Sequence, residues 1–366
     1  MSELTLPVDI ASVWGADLEP RFCPRCDWRY LAQPGAAATR CPHCARAELQ
    51  PLAAPETLAF ATAEPELVAA STLSAEALAQ CIQEFAASIP FAPQDLDPAT
   101  LRGRLQRCYL PLWLVDADAQ AVWQAEVGFD YEAASHREHF DDNRGAWDTE
   151  RIIETRIRWE PRVGRLQRAY HNVAAPALEA DAALRQGLGV HDLRGAQPYA
   201  PALVERALVR LPDRSTADAW PDSVPAVQRV AAQECQQAAS AQHIRDFHWT
   251  PEFSGHNWTL LLQPVYATYY LDDERQPQAL LLHGQMGQVM GARRASPQRA
   301  QRMTLILVAI AAVLLILSLV CGGVGVLFPP LLIAAGLGVL LAVAVGVGAL
   351  APIIIVWRFN RQQAGE

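Results

Sequence analysis

Two cysteine pairs stand out in the stretch FCPRCDWRYLAQPGAAATRCPHCAR, residues 22–46. Cys23 and Cys26 form one Cys-Pro-x-Cys unit, Cys41 and Cys44 the other, and fourteen residues separate them. Two such pairs can place four thiolates at the corners of a tetrahedron, which is the preference of structural zinc. Pro24 and Pro42 stiffen the turns that aim both sulfurs at one ion. Four protein ligands close the coordination sphere, so the single Zn2+ expected here is structural and has no open position for catalysis. His43 lies inside the second pair, where it can substitute as a ligand, sit beside the site or face solvent. Arg25, Trp28, Arg29 and Tyr30 form a candidate interaction surface with Arg21, Arg40 and Arg46 close by. Such a face can stack on and neutralise nucleic acid, or belong to a ribbon that touches protein or is purely structural; the second reading is preferred.

Other groups lack the spacing their chemistry needs. His136 and His139 in HREH match neither HExxH nor HxxEH. HGQMGQVMG, with Gly284, Gly287 and Gly291, resembles a phosphate loop but has no lysine and no following helix; glycines in a twisted hairpin explain it better. Ser254 and His256 couple to no base, and His243 and His248 are five apart. All thirty basic residues are arginine, so a P-loop lysine is excluded and ATP is not expected; with no catalytic spacing among the other groups, an enzymatic activity is not expected either. The net charge of −9 argues against a general polyanion binder. Cys81, Cys108, Cys235 and Cys321 are isolated, as reduced thiols buried like small hydrophobes are. The N-terminus has no basic region followed by an apolar run, so no signal peptide is expected.

The elements that must carry these groups are a mixture. Residues 1–20 form an N-terminal segment, 21–50 a zinc ribbon, 51–70 a Pro/Ala-rich linker, 71–297 an α+β domain, 303–357 a two-helix transmembrane hairpin and 358–366 a tail. Ser74 should cap a helix to about Ala87. CYLPLWLVDADAQAVWQAEVGFDYE reads as two strands around an Asp116–Asp118 turn. TERIIETRIRWEP reads as another strand, with LQRAYHNVAAPAL resuming after a glycine turn. LEADAALRQG, APALVERALVRL and SVPAVQRVAAQECQQAASAQHIRDF read as helical, and the strands of 257–296 as a hairpin across DDERQPQ. The first and last strand blocks share a strand, proline, aromatic, acidic-turn pattern that fits an internal duplication.

From Thr304 an apolar run of about eighteen residues reaches Val320, and a second spans Leu331 to Trp357. Arg293, Arg294, Arg299 and Arg302 precede the first, and Arg358 and Arg361 follow the second, which places both termini in the cytosol of an inner-membrane protein. Ala334, Gly338, Ala342 and Gly346 form a ladder of small residues for helix packing, against the first span or a partner's helix.

The order of these parts resembles a family of bacterial zinc-ribbon membrane proteins often labelled as related to primosomal replication helicases. The residues that carry it are the paired Cys-Pro-x-Cys units, YLPLWLVDA, the Pro198-Tyr199-x-Pro201 motif, LLQPVYATYYLDD and HGQMGQVMG before the spans. The family usually has Asn-Gly-Gln-Thr-Gly-Lys where this chain has His283 to Gln288, and the lost lysine weakens a ligand-binding role there. The resemblance implies an adaptor that recruits a partner, a flotillin-like or phage-shock scaffold, to the membrane in envelope maintenance or membrane stress. A membrane-tethered nucleic-acid binder is the alternative.

Overall fold

The computed structural model describes residues 10–35, 39–52, 63–141, 146–325, 327 and 330–363. The chain divides into two compact units. The first is drawn from Met1–Pro111, Ala180–Leu211 and Leu262–Glu366, the second from Leu112–Glu179 and Pro212–Leu261.

The first unit is built on a mixed sheet. Its strands are β1 (Glu19–Phe22), β2 (Arg29–Ala32), β3 (Gln50–Pro51), β4 (Pro65–Val68), the start of β5 (Gln106–Asp141), β7 (Gln197–Pro198), β8 (Leu208–Arg210), the end of β9 (His243–Leu271), β10 (Pro277–His283) and β11 (Val289–Gly291). The order is β11-β10-β9-β5-β8-β2-β1-β3, with β4 beside β7 and β9. β8 runs parallel to β5 and antiparallel to β2, so the cysteine ribbon is the end of the main sheet. Helix α1 (Ile10–Trp14) is held by Tyr199, whose hydroxyl donates to the Trp14 carbonyl at 2.9 Å and whose ring meets Trp14 edge-on at 6.0 Å. The Pro-Tyr-x-Pro motif is therefore an anchor for the N-terminal helix.

Helix α2 (Ala75–Ala87) starts where Ser74 accepts the Ala77 N–H at 3.1 Å, as the capping signal predicts. Its apolar stripe, Leu78, Ile82 and Phe85, packs with Leu101 of α3 (Pro98–Gly103) and with Tyr270, Leu280 and Leu282 of the β9–β10 hairpin. The expected hairpin across 272–276 is present, with register Leu271 to Pro277. Within 51–70, residues 65–68 are β4, and residues 53–62 lie outside the described residues.

The second unit holds the rest of β5 and of β9, all of β6 (Ala146–Ala175), and α5 (Thr216–Ala238). β5 is one strand of 36 residues, with no turn at Asp116–Asp118. A bulge between Val115 and Ala117 takes its place. Asp116 accepts the N–H of Asn172, which has φ 54°, at 2.8 Å, so the turn-forming carboxylate is used across the hairpin. Gly164 is likewise inside β6, opposite Trp123, where a Cβ would come within 2.9 Å of the indole; the glycine is a seat for a ring and not a turn. Without that turn in β5 the internal duplication has no structural counterpart.

Two further expectations are corrected. Helix α4 (Asp181–Leu188) forms, but Ala200–Leu211 holds only a 3₁₀ turn (Pro201–Leu203) and β8. Apolar residues three and four apart were satisfied there by burial between two strands. The long helix begins at Thr216, earlier than expected, capped by Ser215, and ends at Ala238; His243 already starts β9. α5 lays Val227 and Ala231 on Ala119 and Tyr170, and Cys235 on Trp123 and Ala125.

The C-terminal segment forms α6 (Pro297–Gly325), α7 (Pro330–Gly348) and α8 (Ala351–Gln363). Counting α7 and α8 together, these give two helices long and apolar enough to cross a membrane, of 29 and 34 residues with mean hydropathies of 3.1 and 2.8 over their most apolar windows. α6 and α7 pack along each other. Gly338 and Ala342 lie in that seam, and a Cβ on Gly338 would sit 2.1 Å from the Ser318 hydroxyl. Gly346 faces Ala311, but Ala334 is exposed and Ala335 is buried in its place. The reason is helical geometry: each step of four residues overshoots a full turn by about 40°, so a ladder of four drifts off one face.

The base of this helix pair is tied into the core. Asp273, in the β9–β10 turn, accepts the Ser296 hydroxyl at 2.7 Å and the Gln298 N–H at 2.9 Å, which caps α6. Asn360 of α8 makes two bonds to Ala295, accepting its N–H at 2.8 Å and donating to its carbonyl at 3.0 Å. Ala300 and Val356 are members of the same apolar cluster as α2.

Candidate metal centre

Each cysteine pair sits on a tight knuckle of the same design. The Asp27 N–H donates to the Cys23 carbonyl and the Ala45 N–H to the Cys41 carbonyl, both at 2.9 Å. Asp27 and Ala45, each four residues after the first cysteine of its pair, have φ of 56° and 54°. This left-handed residue lets the chain reverse so that both sulfurs of a pair point the same way. The β1–β2 hairpin brings the first knuckle, and the Arg40–Glu48 bridge with β3 brings the second.

The four sulfurs lie within 4.8 Å of one another. Cys23 Sγ is 3.6 Å from Cys44 Sγ, and Cys26 Sγ is 3.6 Å from Cys41 Sγ. A tetrahedral zinc with bonds of about 2.3 Å requires sulfur separations of about 3.8 Å. The donor set and its spacing therefore fit a metal ion such as zinc. The thiols are electrostatically coupled: a hydrogen bond from Cys26 holds Cys41 below the usual thiol range, while that bond pushes Cys26 up. Crowding that leaves one thiolate stabilised by its neighbours' protons is what a cation would relieve by displacing them.

The surroundings orient the ligands. Tyr30 is fully buried with its hydroxyl 3.7 Å from Cys41 Sγ, placed to donate to the thiolate. Trp28 is 9% exposed and stacks on His43, with ring centroids 3.8 Å apart and planes within 9°. His43 is thus spent on packing, and burial holds its imidazole below its usual range. Arg210 of β8 lies over the other side of this assembly, its guanidinium 4.7 Å from the Trp28 centroid and donating to the Arg29 carbonyl at 3.3 Å. Arg40 and Arg104 both approach the Tyr269 ring, at 5.2 and 4.6 Å. Arg210 and Tyr269 went unnoticed in the sequence because β8 reads as helix and both lie far along the chain.

Of the candidate surface, Arg25 is exposed and Arg29 half-buried, whereas Trp28 and Tyr30 are inside the ribbon. The two aromatics are not available as stacking platforms for bases. Replacing His43 with alanine should leave one metal per chain and cost about 1 kcal/mol of stability from the lost ring contact. Atomic emission on the purified variant reads the first quantity and urea unfolding the second.

The glycine-rich stretch before the long apolar helices is a structural clamp. His283 and His191 are buried and stacked at 3.7 Å. The His191 ring Nε2 is 3.0 Å from the Pro264 carbonyl, and His283 Nδ1 accepts the N–H groups of Gln285 and Met286. The Gln285 amide spans Asp192, accepting its N–H at 2.8 Å and donating to its carbonyl at 2.9 Å, and reaches Ala70 at 3.0 Å. Gln288 donates to the Gly187 carbonyl at 2.9 Å. Burial pushes His191 down to about 4 and lowers His283 as well. An unfolded imidazole takes up a proton below about pH 6.5 while the folded His191 stays neutral, so stability should fall as pH drops from about 6.5 to about 4. The loss from His191 should approach roughly 3 kcal/mol and be absent in His191→Gln, as read by urea midpoints across that range.

Cys108 and Cys235 are buried, Cys81 and Cys321 half-buried, and none is disulfide-bonded. Burial pushes Cys108 up to about 12 and Cys235 to about 11, which makes both inert. Comparison of the chain with protein-family models, with curated proteins and with solved structures gives no match.

Proposed function

We propose that this chain is a membrane-anchored adaptor of the bacterial inner membrane. Its zinc-ribbon and mixed-sheet head recruits a partner protein, and its two apolar helices supply the anchor. The observation that carries this reading is strand β6, which pairs only with β5 among the described residues and so leaves thirty residues with an open hydrogen-bonding edge. An open edge of that length is a template for another chain. It is lined by alternating charges, with Arg156 paired to Glu154 and Arg158 and Arg162 to Glu160, which discourages self-pairing and selects for a charged partner.

Three observations support the remaining parts. Four cysteine ligands leave no position for substrate. The apolar helices are mostly unburied, 6% and 22% over their most hydrophobic windows, as lipid-facing helices must be. Arginines cluster at both ends of the pair, which orients both termini to the cytosol. The motif resemblance names the partner class as a flotillin-like or phage-shock scaffold, with a role in envelope maintenance.

A photo-crosslinking residue at Ile153 or Val163, exposed on β6, is expected to capture one scaffold protein from intact cells. The same residue at Val230, exposed on α5, should not. Equal capture from both positions, or recovery of salt-releasable nucleic acid in place of protein, would overturn the reading. A reporter active only in the periplasm, fused after Glu366, should stay silent; activity would sink the proposed orientation.

A further inference from the structure

Two adjoining cavities mark the base of the membrane helices. One, of about 430 Å³, is largely apolar and runs between α6 and α8, lined by Ala300, Ile353, Val356 and Trp357 with Arg361 also in its wall. The other, of about 630 Å³, has a mixed lining with charged side chains in its wall and adjoins the first, with Pro297 and Asn360 shared between them. Its charged lining carries both signs: Asp272, Asp273 and Glu274 from the β9–β10 turn face Arg293 and Arg294 from the segment before α6.

These charges are not equally committed. Asp272 accepts the Gln276 N–H at 2.8 Å and the Gln278 amide at 2.8 Å, and Asp273 caps α6. Glu274 is exposed, bonds through its backbone N–H to Asp272, and its carboxylate has no partner among the described residues. The Arg293 guanidinium rests over the Phe85 ring at 5.6 Å, and Arg294 is 3.9 Å from Asp272. Glu274 and the two arginines therefore retain hydrogen-bonding capacity.

We infer that the paired cavities form a binding site for a zwitterionic phospholipid with a primary amine headgroup. Its phosphodiester meets Arg293 and Arg294, its ammonium meets Glu274, and an acyl chain enters the groove between α6 and α8. Three features favour this occupant. An apolar slot adjoining a pocket that carries charged side chains matches the two-part character of a lipid. Across the two cavities three carboxylates face three guanidinium groups, Arg293, Arg294 and Arg361, and this balance suits a headgroup carrying one charge of each sign. A quaternary ammonium would need an aromatic cage, and no aromatic side chain lines the charged pocket.

The inference rests on the membrane-spanning reading, and the test separates the two. Full-length protein in detergent is titrated with phosphatidylethanolamine, phosphatidylcholine and phosphatidylglycerol of one acyl composition, and adducts are counted by native mass spectrometry. A single phosphatidylethanolamine adduct is expected, with the other two lipids weaker by about five-fold, the scale of one partly exposed charge contact. Glu274→Gln should remove that preference, Arg293→Gln should weaken all three lipids, and Arg194→Gln should change nothing. Equal retention of all three lipids, or an unaltered preference in Glu274→Gln, overturns the site. Displacement by millimolar O-phosphoethanolamine would show a soluble ligand and overturn the part played by the groove. Release of the protein from membranes by alkaline carbonate would instead fail the spanning reading itself.

Discussion

Replacing Cys23 and Cys41 together with serine should abolish metal binding and unfold the ribbon. One ligand is lost from each knuckle, so the remaining two sulfurs cannot hold a tetrahedral ion. Structural zinc supplies on the order of 10 kcal/mol to the fold it closes, because the site does not exist in the unfolded chain. The ribbon has little else to stand on: its strands are four, four and two residues long. The effect should spread beyond residues 21–50, because β2 pairs with β8 and β8 with β5. Limited proteolysis should therefore cut near Arg206 and Arg210 in the double variant as well as in the ribbon. A variant that keeps one zinc per chain would overturn the ligand assignment. One that loses zinc while the 206–210 region stays resistant would show that the ribbon folds apart from the sheet.

Gly284→Val should be nearly as damaging, for a different reason. A Cβ at Gly284 would lie 2.4 Å from the Pro264 carbonyl oxygen, a backbone atom that cannot turn aside. The Gly284 N–H donates to that same carbonyl at 3.0 Å, so the strand and turn are pinned together where the side chain would go. Opening the contact also separates His283 from His191 and breaks the Gln285 clamp. A loss of about 3–5 kcal/mol is expected, the range of core overpacking combined with broken buried hydrogen bonds. Gln288→Lys, by contrast, gives up one exposed amide bond to Gly187 and should cost about 1 kcal/mol. Thermal unfolding of the two variants side by side distinguishes a packing motif from a ligand loop. A Gly284→Val protein that unfolds at the temperature of the parent would refute the packing account.

Where each feature was legible follows from the range of the forces involved. The four-cysteine cluster was readable because coordination demands particular atoms at short separations, and that demand survives in the spacing. Helix α2 was readable because its cap and its stripe are local. The two long C-terminal helices were readable because their apolar length exceeds anything a small core would use. β5 and β6 were misread as several short strands because Asp116 and Gly164 act locally as turn formers. Their actual work is across the hairpin, against Asn172 and Trp123, which no local pattern records. β8 was misread because a strand buried on both sides has no alternation to show. The burial of Trp28 and Tyr30 was hidden for the same reason: Arg210, which covers Trp28, is nearly two hundred positions away.

The double hydrogen bond of Asn360 to Ala295, with the Asp273 cap, has a mechanical consequence. A head on a flexible tether explores a hemisphere above its anchor and meets partners in every attitude. Here α6 leaves the core through a capped first turn, and α8 returns to the same place and is stitched there. In the proposed membrane anchor, the first unit and its helices should rotate as one rigid body about the bilayer normal, with little freedom to nod. Anything bound to that unit then keeps one fixed tilt and height above the lipid, which is the condition for identical neighbours to pack side by side into a two-dimensional lattice.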